Sequence, residues 1–265
     1  MSIELSGLQK RFKLQHKHSS KQQQRDPRER DGYFHSVEHV GFHCQQGEVL
    51  GLLGPNGAGK TTTLRMLSTA LTPDAGDILI DGQSIVRNPI LGRRKIGFLS
   101  GSTGLYGRLT AKENVSYFAK LHGIKGKQLS ARLDELFTLL DMHSFLDKRA
   151  EHLSTGMKQK TNIARAVVHS PSVVVLDEPT TGLDIMTKQT VLNFIQQLKV
   201  QGTPVIFSTH HMDEVSMLCD RIHIIDQGFS CFDGTVAELQ QAGQHQELNA
   251  AFMQLLKRDT EQPNV

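Results

Sequence analysis

Nine residues, GPNGAGKTT (Gly54–Thr62), constrain what this chain can fold into more than any other stretch. They fit the spacing G-x-x-x-x-G-K-[ST], with Gly54 and Gly59 framing the loop ahead of Lys60 and Thr61. This pattern suits the wrapping of a polyphosphate. Backbone N–H groups must surround the phosphate oxygens, and glycines let the backbone turn and approach that closely. Lys60 would neutralise the outer phosphates, and the Thr61 hydroxyl would ligate Mg²⁺. The flanks agree. EVLGLLG (48–54) reads as a buried strand, and KTTTLRMLSTAL (60–71) as a helix whose N-terminus faces the anion.

At 265 residues the chain can form one large domain, or a domain with a subdomain. A net charge of +3 is too mild to argue for nucleic acid. Cys44, Cys219 and Cys231 are an odd, scattered set without C-x-x-C spacing, which fits a reduced cytosolic protein. The opening MSIELSGLQKRF lacks the apolar core of a signal peptide. No stretch approaches the ~20 apolar residues that a bilayer crossing needs. If the protein works at a membrane, another chain does the crossing.

Residues 2–12 alternate like a short strand ending at Phe12, and residues 13–32, rich in charge and glutamine, read as a solvated insertion loop. His35, His39 and His43 recur every fourth residue. Val40, Phe42 and Cys44 alternate as the inner face of a strand, however, and four residues along a strand span ~13 Å, too far for one metal ion. GDILIDG (76–82) and RKIGFLS (94–100) read as strands, and Thr110 to about Glu151 as helices with i, i+3/i+4 apolar spacing. Strand–helix alternation then resumes. SVVVLD (172–177), TPVIFST (203–209), RIHIID (221–226) and FSCFDG (229–234) are the strands, with helices over 187–201 and from about 212. Residues 235–257 read as helical and DTEQPNV as a disordered tail. The pattern predicts an α/β fold with a mostly parallel sheet, helices packed on it and an inserted helical subdomain.

Two further stretches carry chemistry. SVVVLDEP brings Asp177 out at the end of a hydrophobic strand, where a carboxylate can hold Mg²⁺, and Glu178 follows, poised to orient or deprotonate an attacking water. LSTGMKQK (153–160) sets Ser154 as the N-cap of an amphipathic helix, with Gly156 keeping its start clear of bulk, which makes a second anion site.

GPNGAGKTT, LSTGMKQK and VVVLDEP, with TGLD (181–184) and STH (208–210), together closely resemble the ATP-binding subunit of an ABC transporter, over about residues 2–240. The resemblance implies a P-loop NTPase core with an antiparallel β portion beside the mostly parallel sheet. The ABC ATP-binding domain would span 1–240, with a 13–32 insertion loop and a helical subdomain over about 105–155, followed by a C-terminal helix and tail over 241–265. It implies ATP and Mg²⁺ as cofactors and ATP hydrolysis as the activity. Gly54, Pro55, Asn56, Gly57, Ala58, Gly59, Lys60, Thr61 and Thr62 would bind the nucleotide, and Thr61 and Asp177 the metal. Glu178 would be the catalytic base, and His210 the switch histidine that bonds the γ-phosphate and Glu178. Ser154 and Gly156 would reach the γ-phosphate held by a second subunit of a head-to-tail homodimer or paralogue dimer, and Asp184 would couple the two sites. Phe12 matches the aromatic that stacks on adenine, with Tyr33 and Phe34 as the alternatives.

This sequence departs from the family in two places. The usual Mg²⁺-ligating, subunit-coupling Gln falls at Gly101; Ser100, Ser102, Thr103 or a water would have to fill in. The signature reads LSTGM rather than LSGGQ, with Thr155 and Met157 in place of Gly and Gln. Together these stretches look like the sodium-efflux (NatA-type) branch. The expectation is therefore an ATPase bound at the cytoplasmic face of the cell membrane, driving a separate permease that touches residues around 98–121, with no nucleic acid partner. The alternative is a soluble ABC-type ATPase acting on DNA or ribosomes. Those proteins usually carry long coiled coils or two nucleotide domains, and this sequence has neither.

Overall fold

The computed structural model describes residues 2–14, 26–101 and 104–261. One sheet comprises β4 (Val49–Leu53), β7 (Ile96–Leu99), β8 (Val173–Asp177), β9 (Val205–Ser208), β10 (Arg221–Asp226) and β11 (Phe229–Gly234), in the order β11-β10-β4-β9-β8-β7. Every pairing in it is parallel except β10 with β11. Each residue of β4 and β8 is buried, as expected of parallel strands covered on both faces. The second sheet is antiparallel throughout. It joins β1 (Ser2–Lys13), β2 (Glu29–Arg30), β3 (Tyr33–Gln45), β5 (Ala75–Ile80) and β6 (Gln83–Ser84) in the order β2-β3-β1-β5-β6.

The helix that follows the phosphate loop, α1 (Lys60–Leu67), shares a core with both sheets. Its Leu64, Met66 and Leu67 are clustered with Ile3, Leu5 and Ile78 of the antiparallel sheet and with Leu50, Leu52 and Val175 of the parallel one. Each such side chain contributes about 1.5–3 kcal/mol on burial, so α1 is clamped from two sides. α2 (Pro89–Lys95) precedes β7. Between β7 and β8 lie α3 (Ala111–Leu121), α4 (Gly126–Leu139), two short 3₁₀ turns and α5 (Thr155–Val167). α3 opens on a capping box between Thr110 and Glu113. The remaining helices are α6 (Ile185–Val200), α7 (Met212–Leu218), α8 (Val236–Ala242) and α9 (Leu248–Glu261).

Several boundaries differ from the sequence expectation, each for a local reason. α1 stops at Leu67 rather than Leu71, because Thr69 turns the chain with φ 61°. Arg94 and Lys95 belong to α2, which Asn88 caps and Pro89 starts, so the strand begins only at Ile96. The helix expected over 187–201 starts two residues earlier, on the Asp184 cap. The helix over 235–257 is broken where Gln244 takes φ 56° and the backbone of Gly243 packs against Ala251.

The region read as one solvated loop, 13–32, is more structured than expected at both ends, while residues 15–25 lie outside the described residues. β1 continues to Lys13, and Glu29–Arg30 pair with Phe34–Tyr33 as a hairpin closed by Asp31 (φ 53°) and Gly32 (φ 77°). An Asp-Gly pair with two positive φ values is a type I′ turn, whose twist matches the strands it joins. Of the expected disordered tail, residues 259–261 continue α9, and 262–265 lie outside the described residues.

Candidate functional site

The phosphate loop connects the C-terminal end of β4 to α1. At Gly54 (φ 147°) a Cβ would come within 2.0 Å of the Ile225 carbonyl of β10, so only glycine lets the loop leave the sheet there. At Gly59 (φ 114°) a Cβ would meet the Ser36 carbonyl at 2.7 Å. Pro55, Asn56 and Gly57 are exposed at the crown, and Ala58 is buried behind them, its carbonyl accepting the Gly228 N–H at 2.8 Å. Thr62 shares a hydrogen bond with Ser36 (2.9 Å).

Lys60 is nearly buried and folds back over the loop, its Nζ donating to the carbonyls of Gly54 (2.7 Å) and Pro55 (3.0 Å). Burial pulls its pKa down, opposed by the carboxylates of Glu178 and Asp177. A cation held among carbonyls beside two acids has reason to engage an arriving phosphate. The loop geometry and this lysine fit a nucleoside triphosphate.

Asp177 closes the other side. Thr61 Oγ1 lies 3.4 Å from Asp177 Oδ1, so a hydroxyl and a carboxylate converge as hard oxygen donors that fit Mg²⁺. Ser208, fully buried at the end of β9, holds both acids in register: its hydroxyl donates to Asp177 Oδ1 (2.8 Å) and accepts the Glu178 N–H (3.0 Å). Glu178 itself has φ 47°, an uncommon and costly geometry for a residue with a side chain, of the kind that gathers at functional sites. Its carboxylate accepts from Thr181 Oγ1 (3.2 Å) and lies 3.8 Å from His210 Nδ1. Glu178 and His210 are both part-exposed, so a water can reach the space between them. This acid–histidine pair, beside a carboxylate whose chemistry suits a metal ion, can activate a water against a phosphate.

Ser154 and Gly156 stand elsewhere. Ser154 caps α5 by accepting the Met157 N–H at 3.2 Å, and Asp184 caps α6, accepting Thr187 N–H (2.9 Å) and Thr187 Oγ1 (2.8 Å). Those two bonds hold the Asp184 carboxyl below its usual range. Among the described residues no hydrogen bond or ion pair joins Ser154, Gly156 or Asp184 to the phosphate loop. Ile185 and Met186, next to Asp184, are 84% and 78% exposed, an unusual placement for large apolar side chains. Phe12 projects from β1, 41% exposed and directly across from Phe34 on β3. Gly101 is exposed, with no described residue within 4 Å of where a Cβ would sit, Ser100 is buried, and Ser102 and Thr103 lie outside the described residues.

Sequence reasoning missed three groups. Ser208 was visible inside STH, but its role depends on the pairing of β8 with β9. Glu214 is fully buried and takes hydrogen bonds from Thr180 (2.7 Å) and Thr209 (2.7 Å) and an ion pair from Lys188 (2.9 Å). It thus ties together the loops after Glu178 and before His210 and the helix behind Asp184. Arg28, inside the supposed loop, donates from Nη1 to the Gly57 carbonyl at 2.7 Å.

Comparison with known proteins agrees with this geometry. The family described as ABC transporter matches residues 37–181. The ATP-binding protein NatA of Bacillus subtilis (strain 168) is 42% identical over 224 residues, 84% of this chain and 91% of that protein. The linearmycin resistance ATP-binding protein LnrL of the same organism is 37% identical over 203 residues, 77% of this chain; the match spans 65% of LnrL. A solved ATP-binding subunit of an ABC transporter superposes with a TM-score of 0.80 at 26% identity, covering 97% of this chain and all of that one. A P-loop ATPase core with a second, antiparallel sheet is the class that fold and site define. The chain belongs to the ABC transporter family, as an ATP-binding subunit that hydrolyses ATP. Among the described residues no helix is long and apolar enough to cross a membrane.

Proposed function

We propose that this ATPase powers an exporter whose membrane-crossing part is a separate permease, working at the cytoplasmic face of the cell membrane with Mg²⁺ as cofactor. The observation that carries this reading is the division of the site. Lys60, Thr61, Asp177, Glu178 and His210 gather beside the phosphate loop, whereas Ser154, Gly156 and Asp184 lie at two neighbouring helix starts with no bond to that loop among the described residues. A second subunit, head to tail, would bring its own Ser154 and Gly156 to complete the cage, burying Ile185 and Met186 as it docks. In that arrangement Gly54 to Thr62 hold the triphosphate and Phe12 stacks on adenine. Thr61 and Asp177 would hold the metal, which would supply charge neutralisation on the phosphates. Glu178 takes the proton of the attacking water, and His210 orients Glu178 and the terminal phosphate.

The permease would dock on the helical segment. Tyr106, Gly107, Arg108, Leu109 and Tyr117 line a largely apolar groove of about 410 Å³, with Tyr106 half-exposed and Leu121 63% exposed nearby. These residues fall in or next to the stretch around 98–121. For the cargo we propose sodium, on the likeness of FLSGSTGLYGRLT (98–110) and LSTGMKQK (153–160) to the sodium-efflux branch and on the similarity to NatA.

Glu178→Gln tests the reading. The variant is expected to lose hydrolysis while forming an ATP-dependent dimer, seen by size exclusion with and without ATP. Undiminished turnover would overturn the assignment of the base, and an ATP-bound monomer would overturn the dimer. Co-purification with a multi-span membrane protein, followed by sodium flux in vesicles, tests partner and cargo. Export of an organic compound without sodium flux would redirect the cargo towards the type named for LnrL.

A further inference from the structure

The stem that ends the 13–32 stretch reaches the phosphate loop. Asp26, Pro27, Arg28 and Glu29 form a β-turn closed by the Glu29 N–H on the Asp26 carbonyl (2.8 Å), with proline at the second position, where its fixed φ is wanted. The Asp26 carboxylate then takes three bonds from Arg28: the backbone N–H (3.0 Å), Nε (3.0 Å) and Nη2 (2.7 Å). That fork aims Nη1, which donates to the Gly57 carbonyl at 2.7 Å. The guanidinium lies 4.7 Å from the centre of the Phe34 ring, the cross-strand neighbour of Phe12. The β2–β3 hairpin fixes the stem from behind, with Arg30 bonded to Glu38 and the His35 N–H on the Arg28 carbonyl (2.9 Å).

We propose that Arg28 is a positioning residue of the nucleotide site, bracing the crown of the phosphate loop at Gly57 and thereby setting how tightly ATP is held. Gly57 takes φ 79°, no described residue lies within 4 Å of where its Cβ would sit, and its carbonyl accepts from Arg28. The loop is gripped from within by the Gly228 N–H on the Ala58 carbonyl, and Arg28 supplies the matching grip from outside. A loop that must present several N–H groups to one anion loses affinity when its crown wanders, since ordering it is then charged to binding. A simple surface ion pair does not explain this arrangement. Asp26 and Arg28 are two residues apart and could pair in any short turn, while the contact with Gly57 crosses 29 positions and uses the one guanidinium edge that Asp26 leaves free. The side chain is 14% exposed, so its geometry is held rather than sampled.

The inference rests on the nucleotide site and is tested by calorimetric titration of the full chain with MgATP and MgADP, alongside steady-state hydrolysis. Arg28→Gln is expected to weaken binding of both nucleotides about five- to twentyfold and to raise KM by a similar factor, leaving kcat within about twofold of wild type. Arg28→Lys, which keeps a charged donor able to reach Gly57, is expected to recover at least half of the lost affinity on a logarithmic scale. Asp26→Asn, which loosens the fork but keeps the cation, is expected to fall between the two and stands in if Arg28→Gln fails to fold. Wild-type affinity in Arg28→Gln (or in Asp26→Asn where Arg28→Gln does not fold), or a fall in kcat at unchanged KM, overturns the role of Arg28. A wild-type chain that binds neither nucleotide overturns the site itself, a different result from wild-type binding that Arg28→Gln leaves untouched.

Discussion

Thr187 stands where a side chain on Gly156 would have to go. A Cβ at Gly156 would lie 2.8 Å from Thr187 Oγ1 and 3.0 Å from its Cγ2. Thr187 is in turn bonded through both its N–H and its hydroxyl to Asp184. The glycine read as clearing space for a phosphate therefore also lets the start of α5 nest against the start of α6.

Gly156→Ala should consequently lower hydrolysis by an order of magnitude or more while costing about 1–3 kcal/mol of stability through overpacking. Thr187→Ala, which makes room for the new methyl, should restore part of both in the double variant. A double-mutant cycle on melting temperature and kcat reads the coupling. Strict additivity would mean that the glycine serves the phosphate alone.

Ser208→Ala removes the hydroxyl that Asp177 accepts from and that the Glu178 N–H donates to, both in a buried setting. Leaving those groups unpaired should cost about 1–3 kcal/mol. With Asp177 free to turn from Thr61, the Mg²⁺ concentration giving half-maximal hydrolysis should rise several-fold, while binding of ATP in the presence of a chelator stays close to wild type. An unchanged Mg²⁺ dependence would place the serine outside metal positioning.

Glu214→Ala strands the Thr180 and Thr209 hydroxyls around a buried void, while Lys188 keeps Asp213 at 2.9 Å. Leaving the two buried hydroxyls without their acceptor should cost about 1–3 kcal/mol for each, and kcat should fall because the Glu178 and His210 loops lose their common anchor. Glu214→Gln, which keeps the volume and one acceptor, should lose about 1–3 kcal/mol. Chemical denaturation and turnover, measured side by side, check both.

Acid should weaken the fold through His169. Burial, helped by the neighbouring His122 ring stacked on it at 3.9 Å and by Arg132, pushes its pKa down to about 4. Its Nε2 faces the Ile96 carbonyl (3.2 Å), which accepts, while its Nδ1 is buried and unpartnered. The folded protein thus keeps this ring neutral, whereas the unfolded chain protonates near the ordinary value of 6.5. The sign follows: stability is intact above about pH 6.5 and falls as pH drops towards 4, by at most about 3 kcal/mol. His169→Gln should flatten that part of the stability–pH curve. An unaltered slope would locate the acid sensitivity elsewhere, His223 being the other histidine that burial holds down at about 4.

Much of this was readable from residues alone. The all-buried runs VLGLL and VVVLD announce parallel strands, and GPNGAGKTT carries its geometry in its glycines, because both depend on neighbours a few positions away. The Asp-Gly turn at 31–32 and the Asn-Pro start at 88–89 are equally local signals, each set among charged residues that read as loop. Contacts across the chain left no such trace. Ser208 meets Asp177 only because β9 lies beside β8, Thr180 reaches Glu214 across 34 positions, and Arg28 meets Gly57 only once the hairpin has set its register. Nothing in the spelling of RDPRERDG distinguishes a guanidinium that faces water from one that grips a loop.

Glu214 also bears on how this machine can move. One carboxylate fastens the turn after Glu178, the turn before His210, and the helix capped by Asp184, so none of the three can drift without dragging the others. Such a knot favours two discrete poses over a continuum of partial ones. The stroke it would deliver is a ratchet click rather than a bending spring.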